Sequence, residues 1–194
     1  MESDRELIRK CKEGDTKSQS QLYSKYAPVL MGICLRYARN EEDAKDILHD
    51  SFVKILTNLD KVDENCSYEG WMRTIVVNTA INAYRAKIKA NASVEIEEVQ
   101  EMVEDVRIVQ NDFLSQEILL RFISELPDGY RTVFNLFEID GYSHLEISEM
   151  TGSSYSTVRS QLFKAKRALK KKIEAHLGEI MEKQTTGHRH YDNL

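Results

Sequence analysis

Only two prolines, Pro28 and Pro127, and eight glycines interrupt this chain of 194 residues. Inside an α-helix glycine costs about 1 kcal/mol and proline about 3 kcal/mol relative to alanine. Their scarcity therefore leaves long stretches free to be helical. The expected fold class is all-α, as two small helical domains joined by a flexible acidic linker. The chain is 41% hydrophobic, enough for two small cores. Its longest apolar runs, 29–35 and 75–77, fall far short of the roughly 20 residues that span a bilayer. The acidic start Met1-Glu2-Ser3-Asp4 lacks the basic segment of a secretory signal, so a cytoplasmic location is expected. Cys11, Cys34 and Cys66 are odd in number and no two have CxxC spacing, which argues for reduced thiols rather than a disulfide framework or a zinc site.

Charge divides the chain. Residues 1–90 carry 15 basic and 14 acidic side chains, residues 118–194 carry 11 and 10, and residues 91–117 carry one basic residue, Arg107, against eight acidic ones. The overall charge of −5 therefore resides in the middle, and the flanking segments are slightly basic. The expected organisation is a first domain over 1–90, an acidic linker over 91–114, a second domain over 115–175 and a polar tail over 176–194. A charge-dominated segment of low apolar content cannot bury a core of its own.

Helix signals flank that middle segment. Ser3 with Glu6 forms a capping box, and Gly14 ends the helix it starts. A second helix is predicted from Thr16 towards Arg39, with Pro28 as a possible kink. Asn40 caps a third, with Glu41, Glu42 and Asp43 in its first turn, where the helix dipole favours negative charge. Ala44, Ile47, Leu48, Phe52, Ile55, Leu56 and Leu59 follow at three- and four-residue spacing. Ser67 caps a fourth helix bearing Trp71, Ile75, Thr79 and Ala83. From Ser115 the pattern returns with Ile118, Leu119, Phe122, Ile123 and Leu126, broken at Pro127. A further helix is predicted from Tyr130 to Ile139.

The sharpest local signal lies at 143–172. Ser143 can cap a short helix from His144 to Met150. Thr151-Gly152-Ser153 makes a tight turn, and Ser154 caps a longer helix beginning Tyr155-Ser156-Thr157-Val158. This is helix–turn–helix spacing, with Ile147, Val158 and Leu162 as packing residues. Between Arg159 and Lys172 stand seven basic residues and no acidic one. Small polar residues at the start of such a helix reach base edges in a major groove, and the cations behind them meet phosphates. A solvated basic helix in an ordinary hairpin is the plainer reading. A second signal is the fourth helix. Asn78 and Asn82 are four apart and share a face, and Tyr68 and Tyr84 could stack on unpaired bases. Trp71 is expected in the core.

Three stretches carry a resemblance. EEDAKDILHDSFVKIL at 41–56, SYEGWMRTIVVNTAINAYR at 67–85 and LPDGYRTVFNLFEIDGYSHLEISEMTGSSYSTVRSQLFKAKRAL at 126–169 resemble an ECF-type (extracytoplasmic-function) sigma factor of the sigma-70 family. The resemblance covers about residues 5–175 and includes regions 2 and 4 in order. It implies an alternative sigma factor that binds core RNA polymerase and recognises −35 and −10 promoter elements. It places Asp46, His49, Asp50 and Lys54 on the polymerase-docking helix. Asn65, Ser67, Tyr68, Arg73, Asn78, Asn82 and Arg85 would serve the −10 element and its melted strand. Ser156, Thr157, Arg159, Ser160, Phe163, Lys164 and Arg167 would serve the −35 element. Gln161 and Lys164 stand where the family often has arginine. Lysine keeps the charge but loses the bidentate fork, so the promoter sequence read is open. The resemblance also implies an anti-sigma factor or another recruiting complex as a partner, and a linker routed through the channel that later holds nascent RNA.

No enzyme motif emerges. His49, His144, His176, His188 and His190 sit in no zinc-protease or nucleophile pattern, and there is no phosphate loop. No cofactor or metal is expected. Two other classes fit parts of the sequence: a helix–turn–helix regulator with a sensory N-terminal domain, and a helical adaptor whose basic helix meets an acidic partner.

Overall fold

The computed structural model describes residues 3–62, 67–90 and 115–188, and among them every regular element is helical. The chain forms two compact units. No described helix is long and apolar enough to cross a membrane.

The first unit is a four-helix cluster. α1 (Asp4–Lys12) is capped by Ser3, whose hydroxyl accepts from the Glu6 N–H at 3.3 Å. The Glu6 carboxylate itself turns to Arg9, at 2.8 Å, so only the forward half of the capping box is drawn. Gly14 takes φ +84° after the helix, a left-handed conformation that favours glycine. α2 (Thr16–Tyr37) is capped by Asp15 and runs through Pro28 as one continuous helix. It packs against α1, α3 (Glu41–Thr57) and α4 (Tyr68–Ala90). The Asp4 carboxylate pins α1 to α2 by accepting from Tyr26 Oη at 2.9 Å and pairing with Lys25. The core is Leu22, Leu30 and Cys34 of α2, Ala44, Leu48 and Ile55 of α3, and Met72 and Val76 of α4, each almost wholly buried. Burial pushes the Cys34 thiol up to about 12, which keeps it protonated and unreactive at neutral pH.

Asn40 caps α3 as its sequence requires, accepting from the Asp43 N–H at 2.8 Å. The apolar residues expected on α3 are buried, except that Leu56 is half-exposed. On α4 the expectation needs correction. Trp71 and Ile75 are only half-buried, and the core row is one residue along: Met72, Val76, Ala80 and Tyr84. Both rows have helical spacing, and only the position of the neighbouring helices decides between them. Tyr84 is therefore a packed residue and is not available to stack on a base.

The second unit holds α5 (Gln116–Ser124), α6 (Asp128–Phe134), α7 (His144–Thr151) and α8 (Tyr155–His188). α5 is capped by Ser115, and α8 packs against both α5 and α6. α6 begins two residues before the predicted Tyr130, directly after Pro127. Its continuation, Asn135–Ile139, widens into a π turn, with Asp140 N–H donating to Asn135 O at 2.9 Å. Such single π turns re-aim side chains. Here Phe137 meets His144, and Glu138 meets Lys166. α8 continues to His188, into the stretch expected as a polar tail.

Candidate nucleic-acid interface

The turn between α7 and α8 forms as its residues dictate. Ser143 and Glu146 make a complete capping box: Ser143 Oγ accepts from the Glu146 N–H at 3.3 Å, and Glu146 Oε2 accepts from the Ser143 N–H at 2.8 Å. These bonds hold the Glu146 carboxyl below its ordinary pKa. Gly152 takes φ +73°, and Ser154 caps α8 by accepting from the Thr157 N–H at 3.1 Å. Ile147, Val158 and Leu162 are buried, as predicted.

Val158, Leu162, Ala165, Leu169 and Ile173 form the buried row of α8. At about 100° per residue, Ser156, Thr157, Ser160, Phe163, Lys164 and Arg167 lie within roughly 60° of the opposite direction. All of them are exposed or half-exposed. Six of the seven residues expected to contact the −35 element thus share one outward face. The seventh, Arg159, is exposed on the flank, in line with Tyr155 and Lys166. Two of the seven basic side chains reach other helices of the unit. Lys166 pairs with Glu138 at 2.6 Å and Lys172 with Glu125 at 2.5 Å, tying α8 to the helices beneath it. Lysine runs read as one charge block in sequence, and only the fold separates outward charges from bracing ones. Gln161 is half-buried, with its amide oxygen lacking a hydrogen-bond partner among the described residues.

In the first unit, Ser67 caps α4 by accepting from the Gly70 N–H at 3.2 Å. Asn78 and Asn82 are exposed and Arg85 half-exposed, all within roughly 40° of the direction opposite the buried row. Trp71 and Ile75 fall in the same stripe. Trp71 is the residue that the sequence reading assigned to the core, and with Ile75 it gives this face an aromatic and apolar end. Tyr68 is half-buried. Arg73 is not part of the stripe: it lies roughly 140° round from Asn78 and pairs with Glu69 at 2.7 Å. Asn65 lies outside the described residues.

On α3, Asp46, His49 and Asp50 are exposed on one side of the helix. Val53 stands among them, 51% exposed, an apolar residue where sequence reasoning looked only for charge. The Lys54 ammonium reaches back to α4 and donates to Thr79 Oγ1 at 3.1 Å, so it braces the unit.

Residues 22–89 match the family model for sigma-70 region 2, and residues 116–169 match that for sigma-70 region 4. The chain is 28% identical over 182 residues to an ECF RNA polymerase sigma-E factor of Haemophilus influenzae, covering 89% of this chain and 96% of that protein. It is 26% identical over 188 residues to an RNA polymerase sigma-H factor of Pseudomonas aeruginosa, covering 92% and 97%. Among solved structures, a co-crystal of a sigma factor with an anti-sigma factor from Bartonella quintana aligns with a TM-score of 0.47 and 18% identity, over 82% of this chain and 98% of that one. With both regions present in order and relatives aligned over nearly their whole length, the chain belongs to the ECF group of the sigma-70 family: it is an alternative sigma factor, binding core RNA polymerase and promoter DNA to direct promoter-specific initiation.

Proposed function

We propose that the outward face of α8 reads the −35 element, that the Asn78 stripe of α4 holds melted −10 DNA, and that the Asp46–Asp50 side of α3 docks on the polymerase. The observation that carries this reading is the outward face of α8. Small hydroxyls (Ser156, Thr157, Ser160) lead it, and Lys164 and Arg167 follow on the same side. That is the order a recognition helix needs, base edges first and phosphates behind. Arg159→Ala is expected to weaken specific −35 binding by about 1–3 kcal/mol and to relax preference at one base. Lys170→Ala is expected to weaken all sequences alike, as a phosphate contact does. Competition between specific and random duplexes measures both, and equal losses for Arg159→Ala would rule out its base-reading role.

Capture of unpaired bases needs hydrogen-bonding amides on an exposed face, which Asn78 and Asn82 supply. The loop before α4 acts with them in this reading. Asn78→Ala is expected to reduce open-complex formation on a duplex promoter, to leave part of the defect on a template already opened at −10, and to leave −35 binding intact. Permanganate footprinting reads this out, and unchanged thymine reactivity would exclude Asn78. Run-off transcription with purified core polymerase tests the whole assignment. A cytoplasmic site of action, a first domain over 1–90 and a second over 115–175 belong to the same reading. So does an acidic linker over 91–114, which lies outside the described residues. A regulatory partner, an anti-sigma factor or another recruiting complex, is the remaining expectation of the family resemblance.

A further inference from the structure

His144 opens α7 at the junction of three elements. Its ring lies 4.5 Å, centroid to centroid, from Phe137 on the π turn and 5.8 Å from Tyr155, the first residue of α8. Tyr155, Arg159 and Lys166 line the flank of α8 that faces it, and two of the three are cations. Lys166 also sits 5.7 Å over the Phe137 ring and is neutralised by Glu138 at 2.6 Å. On its own helix, the Glu146 carboxylate is engaged with Ser143. The imidazole thus occupies a half-buried aromatic site beside the one base-reading arginine on the flank, at a helix start whose dipole also disfavours positive charge. Burial first, then Arg159 and Lys166, hold its pKa below the ordinary histidine value.

We propose that duplex DNA on the recognition face of α8 takes up a proton at His144, so that DNA binding by the second unit strengthens as the pH falls. This rests on the DNA-reading role of α8. Phosphates and base acceptors that reach Arg159 bring negative charge to the one neighbour that most opposes protonation. The charged imidazole is then favoured, and it offers N–H donors from both nitrogens. The sign follows. The pKa in the complex lies above that in the free protein, so the added affinity is complete below the free-state pKa and is lost as the pH rises through the bound-state pKa. Each unit of difference is worth up to tenfold in affinity. Elsewhere among the described residues, His49 is exposed on α3 and His176 faces Phe122.

The test is fluorescence anisotropy of the full chain on a mixed-sequence duplex at fixed low salt, from about pH 8 down to about pH 5.5, the range in which histidine titrates. The wild type is expected to tighten by about three- to tenfold. His144→Phe keeps a ring between Phe137 and Tyr155 but cannot titrate, and its affinity is expected to lose that pH dependence. A second measurement follows the His144 imidazole by NMR, free and with duplex, and its pKa is expected to rise on binding. Equal pH slopes in wild type and His144→Phe, or an imidazole pKa that does not rise, overturn the proposal. Arg167→Ala separates the two levels. If it leaves binding unchanged, the DNA-reading role of α8 fails and the proton linkage with it. If it weakens binding while the slopes stay equal, only the linkage fails.

Discussion

Arg131→Met is expected to be among the most destabilising single changes in the second unit. Arg131 is 2% exposed, yet it carries a full charge. Its guanidinium donates to Ser124 O at 3.1 Å and Leu126 O at 2.8 Å, and its other arm meets Asp128 Oδ1 at 2.5 Å. The first of those carbonyls is among the last of α5, which no helical N–H can satisfy. One side chain thus closes the end of α5, spans Pro127 and fixes the start of α6. Methionine keeps most of the stem packing and removes every donor. Asp128 stays in reach of water, so the cost comes mainly from the buried Leu126 carbonyl and the half-buried Ser124 carbonyl left without this donor, about 2–5 kcal/mol in all. A small domain holds only about 5–15 kcal/mol of stability, so the loss is a large share. Hydrogen exchange should accelerate at α6 and α8 amides while α2 and α3 keep wild-type protection. Wild-type protection of α8 in the variant would show that the bridge is not needed. Arg131→Lys should fall between the two, since a single ammonium can serve one carbonyl well but not the planar three-way arrangement.

Arg131 also marks where sequence reasoning stops. Caps were legible because they are local: Ser3, Asn40, Ser115, Ser143 and Ser154 each accept from an N–H three residues on, and the sequence contains both partners. The helix–turn–helix was legible for the same reason, with Gly152 supplying the left-handed residue and Ile147, Val158 and Leu162 the buried positions. What was not legible depended on neighbours far along the chain. The rows Trp71–Ile75 and Met72–Val76 differ by one residue, and nothing local prefers either. The basic stretch of α8 likewise conceals that Lys166 and Lys172 are claimed by Glu138 and Glu125, 28 and 47 residues earlier in sequence. The π turn at Asn135–Ile139 has no compositional signature, yet it delivers Phe137 to His144 and Glu138 to Lys166. A bridge such as Arg131 to Ser124 O, across Pro127 between two helices, reads in sequence as a charged residue on a surface helix.

Asp46→Lys with Asp50→Lys is expected to abolish co-purification with core RNA polymerase and to leave the fold intact. Both carboxylates are exposed, four residues apart on α3, and among the described residues neither forms an ion pair. Reversing them changes the local charge by four without touching the buried row of Ala44, Ile47, Leu48 and Ile55. Charge opposition of that size across an interface costs several kcal/mol and slows encounter as well, so binding should drop below detection rather than weaken slightly. The helix dipole adds little, because both residues lie beyond the first turn, where its influence fades. Circular dichroism and thermal unfolding should match wild type. Val53→Asp is the companion variant. It places a third carboxylate amid the same stripe, and it should weaken docking if that stripe is seated on an apolar surface but strengthen it if docking is purely electrostatic. Raising salt separates the contributions, since exposed charge contacts are screened within about 10 Å at 0.1 M while apolar contacts are not. Wild-type retention of core polymerase by the double charge-reversal variant would remove α3 from the docking surface and shift the search to another exposed face of the first unit.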